Sequence, residues 1–347
     1  MSSLWPRLAG LELTIEACAY AELAPGPEFD PEMHTTRLVR LRGAGEEGVA
    51  EDITQFISAG PELPLAGDWT LAGFCDHLAG LDQWPEGPPE SDMARRWRTY
   101  GYESAALDLA LRQAGRALHE VLGLEPRPIT FVNSLGLGDP PDAATIERRL
   151  AAHPGLRFKL DAAAAWTPEI VATLVGTGAV DIIDFKGRYG LEVEDGAALL
   201  RVYARLIDAF PDALLEDPHD ERPEILALLE PHAGRVSYDA PIQTVADLDA
   251  QSLAAGTFNV KPCRVGHLED LFALYAACTE RGAGLYGGGM GELGVGRGQI
   301  QCLASLFHAD GPNDIAPSGY NAREPAAGLA PSPLPARPAA TGFRRDE

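Results

Sequence analysis

The chain has 347 residues, more than one ordinary domain needs and enough for a barrel of roughly 250 residues with a smaller companion. Hydrophobic residues make up 46% of it, sufficient for a large core, and its formal net charge is −23. That charge argues against nucleic acid and anionic membrane surfaces as partners, because both would repel the chain, and is read as keeping the protein in solution.

Five cysteines, at Cys18, Cys75, Cys263, Cys278 and Cys302, form no C-x-x-C pair, and their odd number fits no disulfide framework. The N-terminus carries no basic segment followed by an apolar core, and no apolar run approaches the roughly 18 residues of a membrane span. A reducing cytoplasm is the expected location.

Residues 8–50 alternate as strands do. LELTIEACAY is followed by a loop over Glu22–His34, then TTRLVRLRG, a glycine turn and GVAEDI. A second connection spans Gln55–Trp69. From Thr70 to Gly123 the pattern is helical, and TYGYESAALDLALRQAGRALHEVLG places Ala106, Leu109, Ala110, Ala114, Ala117 and Leu118 on one face. Eight strand-like segments come next: PITFVNS, RFKLD, DIIDFKG, ALLEDP, RVSYDAP, FNVKP, GLYGGG and NDIAP. Helical patterns such as DAATIERRLAAH, TPEIVATLVG, EDGAALLRVYARLIDAF and HLEDLFALYAACTERG separate them. An Ala/Pro-rich tail closes the chain. The expected divisions are 1–125, 126–322 and 323–347.

Charged residues mark the C-terminal ends of consecutive strands: Lys159 and Asp161, Asp184 and Lys186, Glu216, Asp239, and Lys261. From Asp161 onwards the steps between the acids and on to Lys261 are 23, 32, 23 and 22 residues, about the length of one βα unit. The strand C-termini of a (β/α)8 barrel converge on one mouth, so three carboxylates on successive strands would meet there. Clustered anions need a cation, and an oxygen-only ligand set suits a hard ion such as Mg²⁺. Lys159 shares a face with Asp161, and Asp184 with Lys186, because alternate strand residues point the same way. Only one of Glu216 and Asp217 can therefore face the mouth.

The run Gly287-Gly288-Gly289-Met290-Gly291-Glu292-Leu293-Gly294 contains G-x-G-x-x-G, with Asp314 20 residues beyond. That pattern hints at a dinucleotide site, but it sits at the seventh strand and not in a first βαβ unit. Glycines that let the backbone approach a substrate are the better reading.

The order lysine, Asp–Glu–Asp, lysine resembles the enolase superfamily, in its mandelate racemase and muconate-lactonizing branches. LLEDP, SYDAP and FNVKPCRVG are similar to that family's signatures on strands four, five and six. The resemblance implies an α/β protein: a modified (β/α)8 TIM barrel of the (β/α)7β type, with an α+β N-terminal capping domain. The three-stranded opening would belong to the cap, with the Glu22–His34 and Gln55–Trp69 loops over the mouth and the C-terminal tail returning to the cap. Asp108 looks like a typical residue of the cap's long helix and is read as structural.

The resemblance also implies Mg²⁺ on Asp184, Glu216 and Asp239, and acid/base roles for Lys159, Lys261 and Lys186. Substrate contacts are expected from Asp161, Asn133, Gly288 and Gly289. The chemistry implied is abstraction of a proton α to a substrate carboxylate through a stabilised enediolate, by a lyase or isomerase acting on a small molecule and assembled as a homo-oligomer. Two departures stand out. Lys159-Leu160-Asp161 replaces the family's Lys-x-Lys, which leaves a catalytically silent metal-binding relative as the alternative. GLYGGG also lacks the histidine that racemases of the mandelate type carry. A competing alignment sets LDAAAAWTPE on the family's Asp-Ala-Asn strand and makes Asp161 a ligand; it leaves DIIDFKG as an extra strand.

Overall fold

The computed structural model describes residues 4–26, 35–54, 61–85, 87, 89, 91–187 and 196–346. Near the N-terminus, LELTIEACAY is not one strand but two, β1 (Glu12–Ile15) and β2 (Ala17–Leu23). Glu16 is the break: its N–H goes to Arg42 O at 2.7 Å, and the chain changes partners there. β2 pairs with β3 (Thr36–Gly43), and β3 with β4 (Glu46–Asp52), as an antiparallel meander. β1 instead pairs with β5 (Gly67–Thr70), which lies inside the stretch expected to be a loop. Of the expected mouth loops, 27–34 and 55–60 lie outside the described residues.

α1 (Leu71–Ala79) follows β5 directly, with the Thr70 side chain accepting from Gly73 N. α2 (Asp92–Gln113) is capped by Ser91 and acidic in its first turn, both favourable at a helix N-terminus. Its residues Arg98–Leu111 are all buried. It lies so close to β4 that a Cβ on Gly48 would stand 2.3 Å from Ala105 O. The helical stretch expected to run to Gly123 breaks at Ala114–Ala117, where Gly115 takes φ +64°, before α3 (Leu118–Leu122) resumes. Ala114 and Ala117 therefore flank a turn.

The barrel strands are β6 (Asn133–Leu135), β7 (Phe158–Asp161), β8 (Val180–Asp184), β9 (Leu214–Glu216), β10 (Val236–Tyr238), β11 (Thr257–Val260) and β12 (Gly284–Gly287). They form one parallel sheet in sequence order. Helices α4 (Ala144–Ala152), α5 (Pro168–Thr177), α6 (Gly196–Ala209) and α7 (Pro223–Leu229) connect the first five, the α6 segment being described from Gly196. The short α8 (Pro262–Val265) and α9 (Leu268–Arg281) link β11 to β12, and α10 (Val295–Phe307) follows. Asp161 pairs with Asp184 across adjacent strands, so they end strands two and three, and the competing alignment is excluded.

The eighth position holds NDIAP, as isolated bridges and not as a regular strand. Asn313 bridges Phe131, and Asp314 bridges Gly288. The Asn313 side chain completes the closure, accepting from Gly287 N at 2.8 Å and donating to Thr130 O at 2.9 Å. Val132, Ile182 and Tyr286, with Leu214 against them, make a separate apolar layer inside the barrel. The tail binds both parts of the molecule: Leu334 exchanges backbone hydrogen bonds with Ile129, and Gly342 with Arg116 and Leu118. Asp108, fully buried, accepts from Val49 N, Phe343 N and Arg344 Nε, joining helix, meander and tail. Among the described residues no helix is long and apolar enough to cross a membrane.

Candidate active site

Strand alternation and parallel register put one charged side chain after another at the C-terminal rim. Lys159, 1% exposed, lies at the centre. Its Nζ is 2.6 Å from Glu216 Oε1, 3.1 Å from Asp184 Oδ2 and 3.8 Å from Asp314 Oδ2. Asn259 Nδ2 donates to the same Glu216 Oε1 at 3.2 Å. On the far side, Lys261 Nζ is 2.9 Å from Asp239 Oδ2, and Arg264 binds both oxygens of Asp239. Gly288 lets this happen: a Cβ there would lie 2.6 Å from Lys261 Cε.

At the open edge, Lys186 bonds to Asp184 Oδ2 and stands 3.0 Å from Asp161 Oδ1. These two are the most exposed members of the cluster. Lys186 takes φ +52°, an uncommon backbone for a non-glycine residue, and its N–H binds Asp184 Oδ1 at 3.0 Å. Asp217 does the same at φ +44°. It turns its carboxylate to Asp239 N and Ala240 N, both at 2.8 Å, so Glu216 is the residue that faces the mouth.

Burial alone would pull the Lys159 ammonium down, but Asp184 and Glu216 hold it well above the ordinary lysine value. Burial pushes Glu216 up to about 8 against the pull of Lys159, with Asp184 and Asp239 adding to the rise. Burial likewise pushes Asp217 up to about 6. Asp239 goes the other way: Lys261 and Arg264 overcome its burial and hold it far below the carboxylate range.

Among the described residues no three Asp, Glu, His or Cys side chains form a ready metal shell, because lysines and Arg264 stand between the acids. The residues nonetheless fit a hard cation. Glu216 Oε2 is buried and has no hydrogen-bond partner, and neither has the Asn259 Oδ1 beside it. The donors are oxygens only, and six carboxylates (Asp161, Asp184, Glu216, Asp217, Asp239, Asp314) meet four cations (Lys159, Lys186, Lys261, Arg264). A divalent ion matches that excess.

Asn133 is not brought to this cluster. Its amide is engaged by Arg149 Nη1 at 2.9 Å and Tyr320 O at 3.3 Å, at 1% exposure, so neither end is left for a substrate. Gly289 lies beside Glu292, whose Oε2 accepts from Met290 N. The rest of the glycine run serves an internal anion. Glu51, from β4, accepts Leu293 N at 2.6 Å, Gly294 N at 3.0 Å and Gly296 N at 3.1 Å. Of the N–H groups that would cradle a dinucleotide phosphate, those of Met290, Leu293 and Gly294 are engaged by these two glutamates and that of Gly289 by Asp314 O, and Asp314 sits in the barrel closure beside Lys159.

Sequence reasoning missed Arg264 and Asp314 as members of the site, and Glu51 as its brace. Arg264 had a usable signal: it stands one helical turn after Lys261 in PCRV. Glu51 had none, since the amides it braces lie more than 240 residues away.

Residues 6–121 and 125–322 match the N-terminal and C-terminal domains of a family described as a domain of unknown function, DUF8230. The chain is 26% identical over 297 residues to an N-succinylamino acid racemase of Thermus thermophilus, covering 81% of this chain and 78% of that protein. It is 26% identical over 224 residues to an o-succinylbenzoate synthase of Geobacillus stearothermophilus, covering 63% of this chain and 58% of that protein. Among solved structures, a dipeptide epimerase from Methylococcus capsulatus complexed with Mg ion superposes with a TM-score of 0.62 at 20% identity, covering 87% of this chain and 90% of that one. A mandelate racemase/muconate lactonizing protein from Herpetosiphon aurantiacus gives 0.60 at 21%, covering 89% of each chain.

Proposed function

The chain belongs to the DUF8230 family and has the fold of the enolase superfamily, and from that premise we propose that it removes a proton α to a substrate carboxylate. The observation that carries the reading is the placement of Lys159 and Lys261. They stand on the second and sixth of eight barrel positions, opposite each other, and each is in contact with the central acids. Two ammonium or amine groups facing each other across one site can serve both faces of a carbon, which favours an isomerase over a lyase. The names of relatives, racemase and epimerase, point the same way and suggest N-acylated amino acids or dipeptides as the carboxylates to try first.

In this reading Asp184, Glu216 and Asp239 hold Mg²⁺. When bound, it supplies positive charge that stabilises the extra negative charge of the deprotonated substrate. Lys261 is the first candidate for the proton acceptor, lying least deeply among the acids. Lys159, whose ammonium the surrounding Asp184 and Glu216 favour, is placed to return a proton from the other side. Lys186 replaces the charge of the lysine missing at Asp161, with Asp161 holding it in place. Arg264 fixes Asp239 and thereby the ligand set. A homo-oligomer belongs to the same reading, and light scattering at micromolar concentration tests it.

The deciding experiment is α-proton exchange in deuterated buffer over a panel of N-acylamino acids and dipeptides, with Mg²⁺ added. Exchange that disappears on one face of the substrate in Lys261→Met supports the proposal. The absence of exchange across the panel while Mg²⁺ binds supports the second reading, a silent metal-binding relative. The Asp161–Lys186 pair, standing where a free lysine is expected, is the observation in its favour.

A further inference from the structure

Outside the barrel mouth, a cavity of about 790 Å³ lies between α10, the segment around Ser318 and the C-terminal tail. That is within the usual size of a small-molecule site. Its lining includes Arg297, Arg337, Arg344 and Arg345, together with Gln301 and Ser318, and contains no aspartate or glutamate. In a chain of net charge −23 this is the reverse of what composition predicts. Arg344 is neutralised by Asp108. The other three have no carboxylate within ion-pair distance among the described residues. Arg297, only 8% exposed, donates to the carbonyls of Glu292 and Ala316. Arg345 donates to Pro335 O, and the Arg337 side chain has no partner among the described residues.

The tail holds these charges together. Pro338 and Arg345 form an antiparallel bridge, and Asp346 N binds Arg337 O at 2.8 Å, so Arg337 and Arg345 are neighbours across a hairpin. Burial and then the nearby Arg337 push Arg345 below the ordinary arginine value, as like charges do. Arg297 is nearly buried without a counter-charge, which is unfavourable, while Arg345 is half-buried and Arg337 exposed; planar guanidinium groups bind carboxylate and phosphate oxygens in pairs. Pro331, Pro333 and Leu334 supply an apolar wall beside the charges.

We propose that this cavity binds a small organic or inorganic anion carrying at least two negative charges, a phosphoryl compound or a polycarboxylate. Its lining includes Leu293 and Gly294, which Glu51 braces beside the mouth, so an occupant would touch the loop that flanks the site. The binding itself does not depend on the reaction proposed above.

Isothermal titration of the full chain in metal-free buffer, with inorganic pyrophosphate and with citrate, tests it. The expected result is a dissociation constant below about 1 mM for at least one probe, weakened roughly tenfold or more in Arg337→Ala/Arg345→Ala. Binding of pyrophosphate alone assigns a phosphoryl ligand, and binding of citrate alone a polycarboxylate. Should the double variant fail to fold, Arg337→Ala replaces it, because that side chain makes no bond, and it should weaken binding by at least a few fold. Neither probe binding below about 1 mM, or equal affinity in the variants, overturns the proposal.

Discussion

Two buried glutamates, 165 residues apart, show how differently the same side chain can be used. Glu51 is 3% exposed, and its oxygens accept three backbone N–H groups and the Thr36 hydroxyl. Glu216 is wholly buried, shares one oxygen between Lys159 and Asn259, and leaves the other without a partner. The first is saturated by neutral donors and holds the cap to the loop after β12. The second is surrounded by charges and incompletely satisfied. A complete set of hydrogen bonds stabilises, whereas an incomplete one at the mouth of a barrel keeps a position for something else.

The comparison is broken most directly at Glu51. Glu51→Ala strips a buried carboxylate from three amides, which should lower stability by about 3–5 kcal/mol in urea unfolding. A loss below about 1 kcal/mol would mean that the brace carries no weight. A neutral buried group elsewhere gives the next largest effect. His308, held between Asn313 and Tyr275 at the barrel closure, is pulled by burial down to about 4. The unfolded chain binds that proton near pH 6.5 and the folded chain only near pH 4. Stability is therefore fully present above about pH 6.5 and falls by on the order of 3 kcal/mol as pH drops through that window. His308→Gln should lose that part of the pH dependence in unfolding curves at pH 4 and pH 7; an unchanged dependence refutes the assignment.

At Glu216 the expectation is inverted. Glu216→Gln should leave the fold intact, because Asp184 still faces Lys159 and one Glu216 oxygen had no partner, while Mg²⁺ affinity falls roughly a hundredfold or about 2.7 kcal/mol. Calorimetric titration reads the affinity, and an undiminished value would remove Glu216 from the ligand set.

What the sequence disclosed follows the same division. The central charges were legible because a barrel repeats: Asp184, Glu216, Asp239 and Lys261 stand at or just past a strand's C-terminal end, Lys159 two residues before that of β7, and the parallel register carries them to one rim. Contacts that depend on distant partners were not. Glu16 parts β1 from β2 through a bond to Arg42, and Asn133 turns from the mouth because Arg149 and Tyr320 claim its amide. NDIAP closes the barrel partly through the Asn313 side chain, which no strand periodicity reveals. The glycine run reads as a place where the backbone approaches a substrate; its last amides instead take an anion from the chain's own β4.

The smallest stability effect belongs to the pair where the sequence departs furthest from its relatives. Asp161 and Lys186 end adjacent strands, 3.0 Å apart and partly exposed, with Lys186 also bound to Asp184. Replacing both members of an ion pair is often tolerated, so Asp161→Leu/Lys186→Met should unfold within about 1 kcal/mol of the parent. If Lys186 supplies the missing charge, both Lys186→Met and the double variant lose α-proton exchange on one face of the substrate while Mg²⁺ still binds. An ion pair with no chemical role gives a different pattern: the double variant keeps its exchange, because removing both partners leaves no unpaired charge beside Asp184. Exchange on both faces in the double variant would therefore exclude Lys186 from the reaction and leave Lys159 as the group opposite Lys261.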